Sequence, residues 1–272
     1  MRLAAGRARA LGLPTRGTTA PNRLRRNDRW IAHVAAPALR ASDDPLVVDL
    51  GYGASAVTTW ELARAVRVLR PGTAVVGVEN DRERVATALR DTARASGSDT
   101  DGITFVHGGF EVAGLRPTVV RAMNVLRQYG ESAVAPAWSQ LLAALAPGGL
   151  LVEGTCDELG RRGTWITLDA GGPRWFTLST HLASLTAPSD LAPRLPKALI
   201  HRNVAGEPIH TFLADADAAW DRAAAQEAFG RRQRWIATCR QLRDRGWPVR
   251  DGVRRWRLGE LTLAWESIAP AG

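Results

Sequence analysis

Asp49, Gly51, Gly53 and Glu79 are the residues of this chain whose types and spacing suit ligand chemistry. Gly51 and Gly53 permit a tight backbone path and close approach of a ligand. Asp49 stands two residues before the first glycine, and Glu79 stands where an acidic group can accept from the two hydroxyls of a ribose. Gly51-x-Gly53-x-x-Ala56 formally satisfies the dinucleotide fingerprint, so a nicotinamide-type ligand is one reading. A cationic ligand is the other, and Asp49 favours it, because a carboxylate close to a pyrophosphate repels it.

Such residues need a strand, a turn and a helix to position them. Leu46 to Leu50 is short, β-branched and apolar apart from Asp49, as expected of a buried parallel strand. Beyond the glycines the period changes: Trp60, Leu62, Ala63, Val66 and Leu69 fall on one helical face until Pro71-Gly72. Ala74 to Val78 is the second expected strand, ending in Glu79, and Asn80-Asp81 caps a helix from about Arg82 to Ala93. A loop to Gly102, a third strand at Ile103–Val106 and a fourth at Val119-Val120 follow. Trp138, Leu141, Leu142 and Leu145 mark a helix stopped by Pro147-Gly148-Gly149, and Leu150 to Gly154 is the fifth strand.

Asp49-x-Gly51-x-Gly53, then Glu79, then the helix, Pro-Gly-Gly turn and strand around residue 150 resemble the ordered motifs of the class I S-adenosylmethionine-dependent methyltransferases. The resemblance implies a Rossmann-like, doubly wound α/β fold with a mostly parallel sheet of about seven strands and flanking helices. It implies S-adenosylmethionine as the cofactor, held at Gly51 and Gly53, with Asp49 near its methionyl end and Glu79 on its ribose. At the third strand's exit the family offers an acidic or amide group to the adenine. This chain has Phe110 and Glu111 there, Phe110 as a wall for the ring and Glu111 for recognition.

Arg121-x-x-Asn124-Val125-Leu126 with Tyr129 resembles the Arg-Asn-Val-Leu segment of chemotaxis-receptor glutamate methyltransferases, interrupted by Ala122 and Met123. The residues past the fourth strand lie where this fold puts substrate. Asn124 and Tyr129 are candidates to align polar groups, and Arg121 and Arg127 to fork around a carboxylate or phosphate. Arg23 and Arg26 border the expected cleft from the amino-terminal side, and Asp157 or Glu158 is a candidate general base. Cys156 lacks the Pro-Cys context of the RNA cytosine-5 methyltransferases.

The acceptor is unidentified: a small molecule or protein side chain is expected, with RNA or another nucleic acid as an alternative, and a catalytically inactive cofactor-binding protein as a further one. The chain has 272 residues, 45% of them apolar, and a net charge of +9 carried almost wholly by arginine, Lys197 being its one lysine. Two cysteines, Cys156 and Cys239, are too few for a disulfide framework and fit a reducing, cytoplasmic setting. His181, His201 and His210 are too irregularly spaced to suggest a metal. No apolar run reaches the length of a membrane span, and oligomeric state is not legible. Four segments are expected: a basic arm at 1–28, a cofactor-binding core at 29–180, a helical lid or insertion at 181–252, and a terminal strand pair at 253–272.

Overall fold

The computed structural model describes residues 19–95 and 100–271. Most of the expected basic arm, residues 1–18, therefore lies outside the described residues, as do residues 96–99 of the loop before the third strand. Among the described residues eight strands, where about seven were expected, hydrogen-bond in the order β3-β2-β1-β4-β5-β6-β7-β8. They are β1 (Leu46–Leu50), β2 (Ala74–Glu79), β3 (Ile103–His107), β4 (Val119–Met123), β5 (Leu150–Cys156), β6 (Arg162–Asp169), β7 (Gly172–Thr180) and β8 (Glu260–Ala264). With its flanking helices this is the mixed α/β, Rossmann-like architecture.

The chain divides into two compact units, the first holding residues to 153 together with 158–160 and 168–172. In it β1 pairs in parallel with both β2 and β4, and β2 with β3. The order therefore reverses beside β1, and the carboxyl edge at such a reversal is where open α/β sheets bind ligands. The first unit's helices are α1 (Arg25–Val34), α2 (Ala36–Ala41), α3 (Val57–Arg67), α4 (Arg82–Arg94) and α5 (Val134–Ala144). Asp81 caps α4 as expected, its Oδ1 accepting from Glu83 N at 2.9 Å and Arg84 N at 3.3 Å. α3 buries Leu62, Ala63 and Val66, while Trp60 sits at the rim and donates from Nε1 to Thr92 Oγ1 at 3.1 Å.

β2 approaches its neighbours closely at one point. A Cβ on Gly77 would lie 2.4 Å from Phe105 Cδ1 and 2.9 Å from Tyr52 Cδ1. Those rings meet edge-on at 4.9 Å, filling the space that a side chain would need. Gly77→Ala is expected to cost about 1–3 kcal/mol, as overpacking does, read as a lower urea midpoint. An unchanged midpoint would mean that the two rings yield freely.

The second unit takes residues 154–157, 161–167 and 173–272. The links from β5 to β6 and from β6 to β7 are far shorter than a parallel crossover requires, so these strands form an antiparallel meander. β8 extends it by pairing antiparallel to β7. Its helices are α6 (Lys197–Ile200), α7 (Pro208–Arg222), α8 (Arg231–Asp244) and α9 (Val253–Trp256), built around the buried Trp165, Trp220, Trp235 and Trp256. Of the expected terminal strand pair, Glu260–Ala264 is β8, but Val253–Trp256 is a helical turn. Val253 and Trp256 are three residues apart, the spacing of a helix face rather than of a strand.

Among the described residues no helix is long and apolar enough to cross a membrane. None of them forms a group of three or more His, Cys, Asp or Glu able to hold a metal ion.

Candidate functional site

Parallel pairing brings the exits of β1, β2, β3 and β4 to one edge of the first unit. At the β1 exit Gly51 and Gly53 have φ of +68° and +86°, the left-handed region that favours glycine. Gly51 N donates to Val78 O at 2.7 Å. Gly53 N donates to Glu79 Oε2 at 3.1 Å, and the other Glu79 oxygen accepts from Asn80 N at 3.0 Å. Glu79 is thus aimed at the glycine turn and buried there, with Arg84 Nη1 3.9 Å from its Oε2. Tyr52, between the glycines, is buried, and its hydroxyl has no hydrogen-bond partner among the described residues. Burial, then the nearby Glu79 and Asp49 charges, push that hydroxyl's pKa up, so it remains a donor.

The lead-in to α1 closes over this turn. Thr19 Oγ1 donates to Tyr52 O at 3.1 Å and accepts from Ala54 N at 3.2 Å, and Asn22 N donates to Glu61 Oε1 at 2.7 Å. The amides of Gly51, Gly53 and Ala54 therefore all have acceptors within the chain.

Asp49 lies below the turn and is wholly engaged. Its Oδ1 accepts from Arg121 Nε at 2.8 Å, and its Oδ2 from Arg121 Nη2 at 2.6 Å and Thr59 Oγ1 at 2.7 Å. Arg121 also donates to Thr58 O at 2.8 Å and, through Nη1, to Asp28 of α1. This corrects the expectation that Arg121 faces substrate. It is register partner to Asp49 across β1 and β4, it shares that face, and it is 0% exposed. Two carboxylates around one guanidinium leave the buried cluster with an excess negative charge. Asp28 carries the consequence: burial above all pushes its carboxyl up to about 7 against the pull of Arg121.

At the β3 exit Glu111 folds back, its Oε1 accepting from Gly109 N at 2.7 Å. Phe110 is buried and its ring stands 5.5 Å from that of Tyr129, joining the β3 and β4 exits. Asn124, just past β4, has φ of +62°, and Arg127 is exposed. Arg23 and Arg26 are half-buried beside the start of α1. Asp157 belongs to the second unit and closes the β5–β6 hairpin, Oδ1 accepting from Arg161 N at 2.8 Å and Oδ2 from Arg162 N at 3.2 Å. Glu158 is exposed on the same link.

The edge thus gathers Gly51, Gly53, Glu79, Phe110, Asn124 and Tyr129, with Asp49 beneath them; Arg121 and Asp157 serve the fold. Sequence reasoning passed over Thr19, Asp28, Tyr52 and Thr59. Only Tyr52, framed by the two glycines, carried a local signal.

No family model and no curated protein matches the chain. Solved structures do. The CcbJ methyltransferase from Streptomyces caelestis aligns at 20% identity and a TM-score of 0.38, over 60% of this chain and 78% of that one. The glycopeptide N-methyltransferase MtfA, complexed with (S)-adenosyl-L-homocysteine, aligns at 17% identity and 0.39, over 57% and 60%. Magnesium protoporphyrin IX methyltransferase (ChlM) from Synechocystis PCC 6803 aligns at 18% and 0.37, over 57% and 68%. The chain spans about three-fifths of the length of MtfA.

Proposed function

We propose that this chain binds S-adenosylmethionine at the glycine turn and transfers its methyl group to a small molecule or protein side chain. The observation that carries this reading is the hydrogen bonding of the turn. A pyrophosphate cradle needs free backbone amides and tolerates no excess of carboxylate. Here the Gly51, Gly53 and Ala54 amides are satisfied from within, and the Glu79 carboxylate is aimed at the turn. A cationic ligand bearing a ribose fits those groups, and a nicotinamide dinucleotide does not.

Glu79 would accept from the ribose hydroxyls, and the Tyr52 hydroxyl is a buried donor in reach of the same carboxylate's field. Asp49 acts at one remove: it fixes β4 and the first turn of α3 around the glycine turn. Phe110 and Tyr129 would wall the ligand, and Asn124 and Arg127 would face the acceptor. When bound, the cofactor supplies a methyl group on a sulfonium, open to in-line attack. The chain's own part is to hold the reacting groups in line and exclude water. Cys156 and Cys239, both buried and neither in a disulfide, are in keeping with a cytoplasmic setting.

Calorimetric titration with S-adenosylmethionine, its demethylated product and nicotinamide cofactors tests this. The donor and its product are expected to bind and the nicotinamides not. Glu79→Gln is expected to weaken donor binding about tenfold or more, as the loss of charged hydrogen bonds worth about 1.5–3 kcal/mol requires. Nicotinamide binding, or no donor binding to well-folded protein, would overturn the reading.

A further inference from the structure

The net charge of +9 is unevenly distributed. Between Arg231 and Arg257 stand ten arginines and two acidic residues, Asp244 and Asp251. Glu227 answers the first of these arginines, binding Arg234 Nη1 at 2.5 Å and Arg231 Nε at 3.1 Å, and the buried Glu260 pairs with Arg255. Asp221 adds a third carboxylate, 3.8 Å from Arg234 Nη2. The side chains of Arg232, Arg240, Arg245, Arg254 and Arg257 are exposed, with no hydrogen-bond or ion-pair partner among the described residues.

This segment is a fixed platform within the second unit. The Arg243 guanidinium lies 4.6 Å over the Trp256 ring, and Arg250 lies 4.7 Å over Trp175. Arg250 N donates to Thr262 O at 3.0 Å, Val249 bridges to Leu263 on β8, and Trp247 Nε1 donates to Asp215 at 3.0 Å. Like charges are thereby held together at the cost of mutual repulsion, which a polyanion would relieve.

We propose that the Arg240–Arg257 face docks a nucleic-acid strand through its phosphodiester backbone. Guanidinium forks match phosphate oxygens, and a strand repeats its charge about every 3.4 Å, which suits several arginines at once. A lipid surface is a poorer fit because membrane-seated segments expose aromatic and aliphatic anchors. Here Trp235 and Trp256 are buried, Trp247 is tied to Asp215, and Val253 is the single large apolar residue exposed between Arg240 and Arg257. The inference concerns docking and is independent of which group accepts the methyl.

Fluorescence anisotropy of the full chain with labelled single-stranded RNA and DNA of the same mixed sequence tests it. Five phosphate contacts, from Arg240, Arg245, Arg250, Arg254 and Arg257, predict affinity falling about a hundredfold between about 50 and 200 mM salt. The triple variant Arg240→Gln, Arg254→Gln, Arg257→Gln is expected to flatten the logarithmic salt slope from about −3.5 to about −1.4. Its three positions are exposed and unpartnered, so its thermal melt and its titration with S-adenosylmethionine should be unchanged. Docking and methyl-donor binding are thus read from separate curves. No strand binding at about 50 mM salt, or strand binding that the triple variant keeps in full, would overturn the proposal. So would capture of phosphatidylserine vesicles or polyglutamate in place of either strand.

Discussion

Arg121→Met is expected to destabilise the protein by about 3–5 kcal/mol, the cost of breaking a buried ion pair from one side. Methionine fills much the same volume, but it leaves Asp28 and Asp49 buried against each other, 4% and 2% exposed, with no cation between them. Urea denaturation near pH 8 measures the loss. Asp28→Asn in the same background removes one of the two stranded charges and should recover part of it. A loss under about 1 kcal/mol, typical of exposed pairs, would mean that the cluster is solvated. The effect reaches the proposed cofactor site because Asp49 also accepts from Thr59 at the start of α3. With Arg121 gone, the glycine turn loses the support that holds β1 to β4.

Glu153→Gln is expected to stabilise the protein in alkaline solution. Glu153 is 0% exposed in β5, beside the Trp138 indole. Burial pushes it up to about 8 from 4.5, and the neighbouring Trp138 indole offsets this only in part. The folded chain therefore keeps a proton that the unfolded chain releases. Its contribution is fully present below about 4.5, is lost as pH rises toward about 8, and stays lost above that. At 1.36 kcal/mol per unit the loss is on the order of 5 kcal/mol. Glutamine stays neutral throughout, so the difference between variant and parent should widen from pH 5 to pH 8 in urea melts. Parallel stability curves would show that Glu153 ionises freely in the fold.

Much of this was legible because it is local. Gly51 and Gly53 announce a left-handed turn, Asp81 announces its cap, and the apolar runs around Val47, Val75 and Leu151 announce buried strands. What escaped depends on partners distant in sequence. An arginine at a strand end reads as solvent-facing, since arginine is rarely buried unpaired. Nothing near Arg121 reveals that Asp28 and Asp49 will meet it. Asp157 was misleading in the opposite way: it sits past a strand, where catalytic groups collect, yet a hairpin follows in place of a helix and its carboxylate is needed to close the turn. At Val253–Trp256 the strand reading carried the alternation of the later residues back onto a stretch whose apolar pair stands three apart, and the helical turn prevailed.

The Asp49–Arg121 pairing spans 72 residues of chain and the Asp28–Arg121 pairing 93. Closing such loops costs about 4 kcal/mol of chain entropy before any contact is returned. The β5–β6 and β6–β7 hairpins, by contrast, join strands adjacent in sequence and need no such closure. In the order of assembly the buried arginine belongs late, after α3, β2, α4 and β3 have shortened the path between its partners. Its removal should then act chiefly on the rate of escape from the native state and leave the rate of arrival little changed. The cluster beneath the glycine turn would be a latch on a finished domain rather than a seed for it.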